Sequence, residues 1–360
     1  MSLLLLTIAC TPKGVRNVAQ ALPEESPPPP EVQLEAPPAD WGANAWPWGP
    51  GGTLSVAWEQ RLGGPLRLPP ARRGDSLFVA SGPQAMRIDD GVAEWTVERD
   101  LGGAAALLGE ELWVPSGDRL LKLDAETGQQ LANVDAIRGV VGSPVRVQGQ
   151  VAWITLDGGS GGPQWWRHDA SSGAGGPSSD GNVLWFVTKE GQLLVQSADG
   201  LVRMETLPGP GLHRPAYDGE RLAITTAAYE GDQGFIGAYD PGGAPLWVVE
   251  LNSQASGPAA VTDELWLIAE TGGAVRAFEP NTGDALWEVH CKAPLGAGVA
   301  IGGAKAYVGT TTGELCILDL DDGTWWDSIS LGAPVVSTPL VTPTAVVVPL
   351  GDARLVQLTR

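Results

Sequence analysis

Between Ser256 and His290 the chain sets out apolar and polar positions in short bursts separated by glycine-bearing turns. Leu265 to Ala269 is an unbroken apolar run, two glycines follow, and Ala274 to Glu279 alternates. An Asn281-Thr282-Gly283 turn then leads into a second alternating run around Trp287. Short runs rich in Val, Ile, Leu and Trp, bounded by turn residues, predict antiparallel strands joined by hairpins. With Pro258 to Val261 as a first short strand, the stretch predicts a four-stranded meander.

The same pattern recurs along the chain. A proline or small residue is followed seven positions later by the apolar residue opening the second strand, at Pro70/Leu77, Ala105/Leu112, Pro144/Val151, Pro177/Leu184, Pro215/Leu222, Pro258/Leu265, Val299/Ala306 and Pro339/Val346. Successive copies lie 33 to 43 residues apart, the extremes being Pro144 to Pro177 and Pro215 to Pro258. A repeat of one small sheet at that period is the signature of a β-propeller, whose blades pack radially about a central channel. The expected fold is therefore all-β, an eight-bladed propeller of four-stranded antiparallel blades, with seven blades as the alternative. The third copy is irregular, because Gly173 comes only four residues before Pro177.

The two ends of the repeat array complement each other. Ala57-Trp58-Glu59 matches Leu286-Trp287-Glu288, the start of a fourth strand, but nothing ahead of it supplies the first three. The eighth copy stops after Leu355 to Leu358, where a third strand would finish. An N-terminal strand completing the last blade closes the ring and leaves no free edge at the joint.

Composition supports this reading. Forty-nine glycines and 30 prolines supply the turns, and 43% hydrophobic residues suffice for a packed core. The formal charge of −20 argues against nucleic acid and against adsorption to anionic lipid, both of which reward basic surfaces. Three segments follow. Residues 1–10, MSLLLLTIAC, look like the end of a bacterial lipoprotein signal, with Ile8-Ala9 before Cys10 as the lipid acceptor, and the run is too short to span a bilayer. Thr11 rather than Asp after that cysteine points, by resemblance to enterobacterial sorting, to the outer membrane. Residues 11–52 carry PEESPPPPEVQLEAPPAD and read as an acidic, proline-rich tether. Residues 53–360 are the propeller.

The hairpin between third and fourth strands carries a motif: an acid, then Thr or Asp, Gly, and a Trp four residues on. It occurs as Glu279, Thr282, Gly283, Trp287; as Asp240, Gly243, Trp247; as Asp89, Gly91, Trp95; and without the indole as Asp124, Thr127, Gly128, Ala132. Gly323 and Trp58 hold equivalent places, and Asp327 takes the Trp position in the seventh copy, just after Trp325 and Trp326. This pattern resembles the repeat of the pyrroloquinoline-quinone-like propeller family. The expected roles are structural: the carboxylate accepts turn amides while the indole packs between neighbouring blades.

The resemblance brings enzymes into view, since quinoprotein dehydrogenases share the repeat. Those enzymes carry adjacent cysteines, a calcium ion, a catalytic Asp and long inter-blade insertions. Here Cys291 and Cys316 are far apart, no haem-attachment motif occurs and the loops are short, so no quinone cofactor is expected. His168, His213 and His290 lack ligand spacing, so no metal site is expected either. Cys291 and Cys316 are expected to be two free thiols. No catalytic residue is assigned. Alternation along a strand sends neighbours to opposite faces, so one member of each pair, Trp165/Trp166 and Trp325/Trp326, should be poorly buried unless a bulge intervenes, and these are the candidate interface residues. The function expected is a non-catalytic, lipid-tethered scaffold facing the periplasm from the outer membrane. It would be monomeric by itself and bind other envelope proteins, the closest role in the resembling family being outer-membrane barrel assembly. A quinoprotein-type dehydrogenase and a saccharide- or ligand-binding surface propeller are the alternatives.

Overall fold

Runs of β-branched and aliphatic residues punctuated by glycine turns fold as short antiparallel strands, and no helix occurs among the described residues. The structure is a computed structural model, and it describes residues 43–99, 101, 104–136, 139–156, 160–162, 172–197 and 200–360. Eight sheets follow one another along the chain, spanning 71–98, 106–135, 140–161, 173–206, 216–251, 260–290, 300–330, and 340–359 joined by Ser55–Arg61. Seven are complete four-stranded blades. The third holds three strands among the described residues, at the copy whose spacing is irregular in the sequence.

Ser55–Arg61 pairs antiparallel with Arg354–Thr359, from Ser55 opposite Thr359 to Arg61 opposite Arg354. The eighth blade is thus built from both ends of the repeat array. An ion pair at 3.0 Å between Arg354 and Glu59 crosses the same joint. Partly exposed pairs of this kind contribute at most about 1 kcal/mol, so the strand ladder and its apolar neighbours hold the closure.

Middle strands are buried on both faces, as in Ala345–Pro349 and Leu184–Thr188. The reason is radial packing: each face of a blade meets the next blade, and the core is divided among the seams. One seam collects Leu265, Leu267, Val275 and Ala277 of the sixth sheet with Val299, Val308, Cys316 and Leu318 of the seventh. Fourth strands, by contrast, alternate half-buried and exposed positions, as Ala285–His290 does.

Part of the stretch expected as a tether belongs to the propeller. Ala45–Trp46 lies parallel to Ala300–Gly302, the innermost strand of the seventh sheet, making that sheet five-stranded. The amide of Val261 donates to the Ala43 carbonyl at 2.8 Å and that of Ile301 to Asn44 at 3.0 Å. Ala43 and Ala45 are buried in two different seams. The boundary at residue 52 is therefore too late by about ten residues; a segment that docks chiefly by backbone hydrogen bonds has no apolar periodicity to betray it. Residues 1–42, including Cys10, lie outside the described residues.

Candidate interaction surface

The turn motif sets the geometry of the seams. At Gly283 and Gly128 the backbone is left-handed, with φ of 76° and 70°, a region that glycine enters freely. The missing side chain also makes room for the indole of the preceding blade. A Cβ on Gly283 would lie 2.7 Å from Trp247, and one on Gly128 would lie 2.7 Å from Trp95. Gly323 stands in the same relation to Trp287, and Gly91 to Trp58. Each Trp therefore docks on the glycine of the following copy, not on the one preceding it in its own motif.

The indole N–H completes three of these docks. Trp95 donates to the Ala125 carbonyl at 3.1 Å, Trp247 to Pro280 at 2.8 Å and Trp287 to Leu320 at 3.1 Å. In every case the acceptor is the residue after the turn acid. The acids meanwhile tie the turn from within: Asp124 accepts from the Thr127 amide and hydroxyl, both at 2.8 Å, and Glu279 from the Thr282 amide at 2.6 Å. Those bonds hold the Asp124 carboxyl below its ordinary value, the Thr127 hydroxyl contributing most. Trp58 is the exception. Its partner turn, Asp89-Asp90-Gly91, is two residues shorter, and the buried Trp58 N–H has no acceptor among the described residues.

Where the fourth strand lacks the Trp, the seam changes. Arg203 holds the position in the fourth sheet, opposite Val195, and its Cδ approaches Gly243. The indole bond comes instead from the second strand, where the fully buried Trp185 donates to the Pro241 carbonyl at 2.8 Å. Sequence reasoning missed this substitution, because Trp185 sits in an apolar run that reads as ordinary core. Ala132 and Asp327 occupy the position in the second and seventh sheets. They face, respectively, the three-stranded sheet and the joint where two chain ends replace a continuous turn.

Seven fourth strands carry a bulge at one shared place, immediately before the Trp position. A bulge leaves one residue unpaired and re-aims it. The residues skipped are Ala57, Glu94, Leu131, Val202, Leu246, Leu286 and Trp326, and all are exposed. Five are large and apolar, repeated blade after blade along the outer rim. Trp326 is 57% exposed, with the Lys305 ammonium 3.5 Å from its ring centroid; Trp325, one residue earlier, is half-buried against the seam. The Trp325/Trp326 pair therefore meets its bulge, and the bulge exposes one member. Trp165 and Trp166 lie outside the described residues. In the fourth sheet the exposed set widens to Leu201, Val202 and Met204 on the edge strand Gly200–Thr206, whose outer backbone groups pair with no strand among the described residues.

The remaining candidates are quiet. His213 is half-buried with Nε2 3.1 Å from the Ala255 carbonyl, and the surrounding protein keeps its pKa below the ordinary value by desolvation. His290 is exposed beside Glu288 at 2.9 Å, and His168 lies outside the described residues. Among the described residues no three His, Cys, Asp or Glu side chains converge on a metal-sized site. Cys291 and Cys316 are both unpaired and buried in one seam, hydrogen-bonded thiol to thiol. That bond, with burial behind it, pushes the Cys316 thiol far up.

Seams of this kind, repeated around a closed ring, define a Trp-docked β-propeller of the pyrroloquinoline-quinone-like repeat class. The family model described as outer membrane protein assembly factor BamB matches residues 53–203 and 271–360, and the chain belongs to that family. BamB of Nitrosomonas eutropha is 33% identical over 114 residues, which is 31% of this chain and 27% of the relative. BamB of Bordetella pertussis is 26% identical over 186 residues, 50% of this chain and 44% of the relative. The matched parts thus span less than half the length of these curated relatives. Among solved structures, BamB from Moraxella catarrhalis superposes with a TM-score of 0.72 at 18% identity, covering 86% of this chain and all of that one. The computationally designed Ika8 protein gives 0.70 at 14% identity, covering 84% and 99%. At those identities the likeness concerns the fold.

Proposed function

We propose that this protein is a non-catalytic interaction scaffold in the assembly of outer-membrane proteins, held at the outer membrane by a lipid on Cys10. The observation that carries the reading is the family match across both flanks of the propeller, in a family described as an assembly factor. The bulge residues support it physically. Large apolar side chains held outward at regular intervals, Trp326 above all, are the type that anchors protein interfaces. The free edge of Gly200–Thr206 offers in addition a template on which an extended partner segment can pair. The acidic surface complements a basic partner and keeps the scaffold off anionic headgroups.

The test is a mild-detergent capture of the full-length protein from its native membranes, with mass spectrometry of its N-terminus and of co-purifying proteins. A lipidated Cys10 together with subunits of an outer-membrane assembly complex is the expected result. Recovery as an unmodified, partner-free soluble protein overturns it. Trp326→Ala and Val202→Asp should weaken capture without lowering the melting temperature, because neither side chain is part of a seam.

A further inference from the structure

Around the ring's axis lies a cavity of about 530 Å³, lined by residues in or just before the inner strand of each sheet and by the 43–48 segment. That size matches small-molecule sites in general. Its walls are mostly alanine, glycine, proline and leucine, so its few polar groups stand out. Three arginines line it, Arg67, Arg72 and Arg214, and no Asp or Glu does among the described residues. In a chain with 42 acidic and 22 basic residues, this reverses the overall balance. The cavity wall is thus positive in a negative protein.

Arg67 lies outside any strand and makes no hydrogen bond or ion pair with a described residue. Arg72 donates from Nε to the Gly74 carbonyl at 2.6 Å; burial lowers its pKa while nearby Asp75 opposes the shift, and a guanidinium stays charged at neutral pH regardless. Just before the fifth sheet, Arg214 donates from Nε to the Ser178 hydroxyl at 3.2 Å. Ser256, Ser337 and Thr338 add hydroxyl-bearing residues to the lining.

We propose that the cavity binds an amphiphilic oxyanion, a phosphate or carboxylate head on an apolar body. Arg67 and Arg72 of the first sheet's approach receive the head. Trp46, Leu107 and Leu340 line the apolar remainder. This inference concerns the centre of the ring, goes beyond the assembly role and does not rest on it.

Calorimetric titration of the full chain with octyl phosphate, octanoate, inorganic phosphate and octanol tests it. Octyl phosphate and octanoate should bind with dissociation constants below about 1 mM, each about tenfold or more tighter than octanol and than phosphate alone. Arg67→Gln/Arg72→Gln should weaken both amphiphiles about tenfold or more, at an unchanged circular-dichroism spectrum. Arg67→Gln alone, at an exposed loop side chain, should give a smaller loss in the same direction. Octanol binding as tightly as the anions overturns the charge argument, and inorganic phosphate binding as tightly as octyl phosphate overturns the amphiphile. Affinity indifferent to both arginine variants, or no binding by any probe, removes the site.

Discussion

Trp287 lies across the backbone of Gly323 so closely that a methyl group there would sit 2.5 Å from the indole Cε3. The two residues belong to neighbouring blades, and Gly323 has a φ of 71°, so the dock depends on one residue for both its conformation and its clearance. Gly323→Ala should therefore destabilise the propeller by about 2–4 kcal/mol, combining left-handed strain with overpacking. Urea denaturation measures this. In a double-mutant cycle with Trp287→Leu the two losses should be less than additive, because the smaller side chain relieves the clash; strict additivity would assign the effect to backbone strain alone.

The indole bonds separate two seam tryptophans, Trp185 and Trp58. Trp185→Phe removes the donor to the buried Pro241 carbonyl and should cost about 1–2 kcal/mol beyond the lost contact area. Trp58→Phe removes a donor that has no acceptor, so its cost should be smaller. Equal losses in thermal denaturation would contradict the assignment of Trp185 as the seam's substitute donor.

Acid should loosen the hairpin turns. The Thr127 hydroxyl holds the Asp124 carboxyl below its ordinary value of 3.8, the Lys305 ammonium does so for Asp319, and the Thr324 hydroxyl for Asp322. With the folded-state values depressed, this stabilisation is complete above 3.8 and is lost as pH falls through those lower values. The melting temperature should hold steady down to about pH 4 and then drop. Asp124→Asn should make the drop shallower; a parallel acid limb would remove Asp124 from the account.

The thiols of Cys291 and Cys316 should be silent in the native state. Burial in one seam keeps reagents from both, and the bond to Cys291 with burial behind it holds Cys316 as a thiol. Alkylation followed by peptide mapping should label neither residue before unfolding and both after it. Recovery of a peptide pair crosslinked through Cys291 and Cys316 without added oxidant would show that the seam holds a disulfide.

Much of the ring was legible in the residues, because each copy repeats its own proline, its apolar opener and its turn glycine. The closing strand was legible too, since Trp58 stands in a fourth-strand context with no blade before it. Partnership was harder to read. Several copies hold both a motif Trp and a turn Gly, and a periodic sequence does not say that Trp247 meets Gly283 of the next copy rather than Gly243 of its own. The bulge stayed hidden because alternation treats Leu286 or Trp326 as one more step of a strand, although the Trp325-Trp326 doublet signalled that one indole had to face outward. The basic wall of the cavity could not be found by spacing, as Arg67, Arg72 and Arg214 converge only through the closure of the ring.

That closure also fixes an order of events. Ser55–Arg61 is made early and has no sheet to join until Arg354–Thr359 exists, nearly the whole propeller later. Pairings of such sequence separation form slowly, since the loop must be closed before any contact rewards it. Seven sheets can assemble from neighbouring strands while the eighth waits. Until it forms, the early strand and the late one each present an open edge, so the newly made chain is most exposed to mispairing in its final step, and a shield for those two edges during synthesis would protect the whole ring.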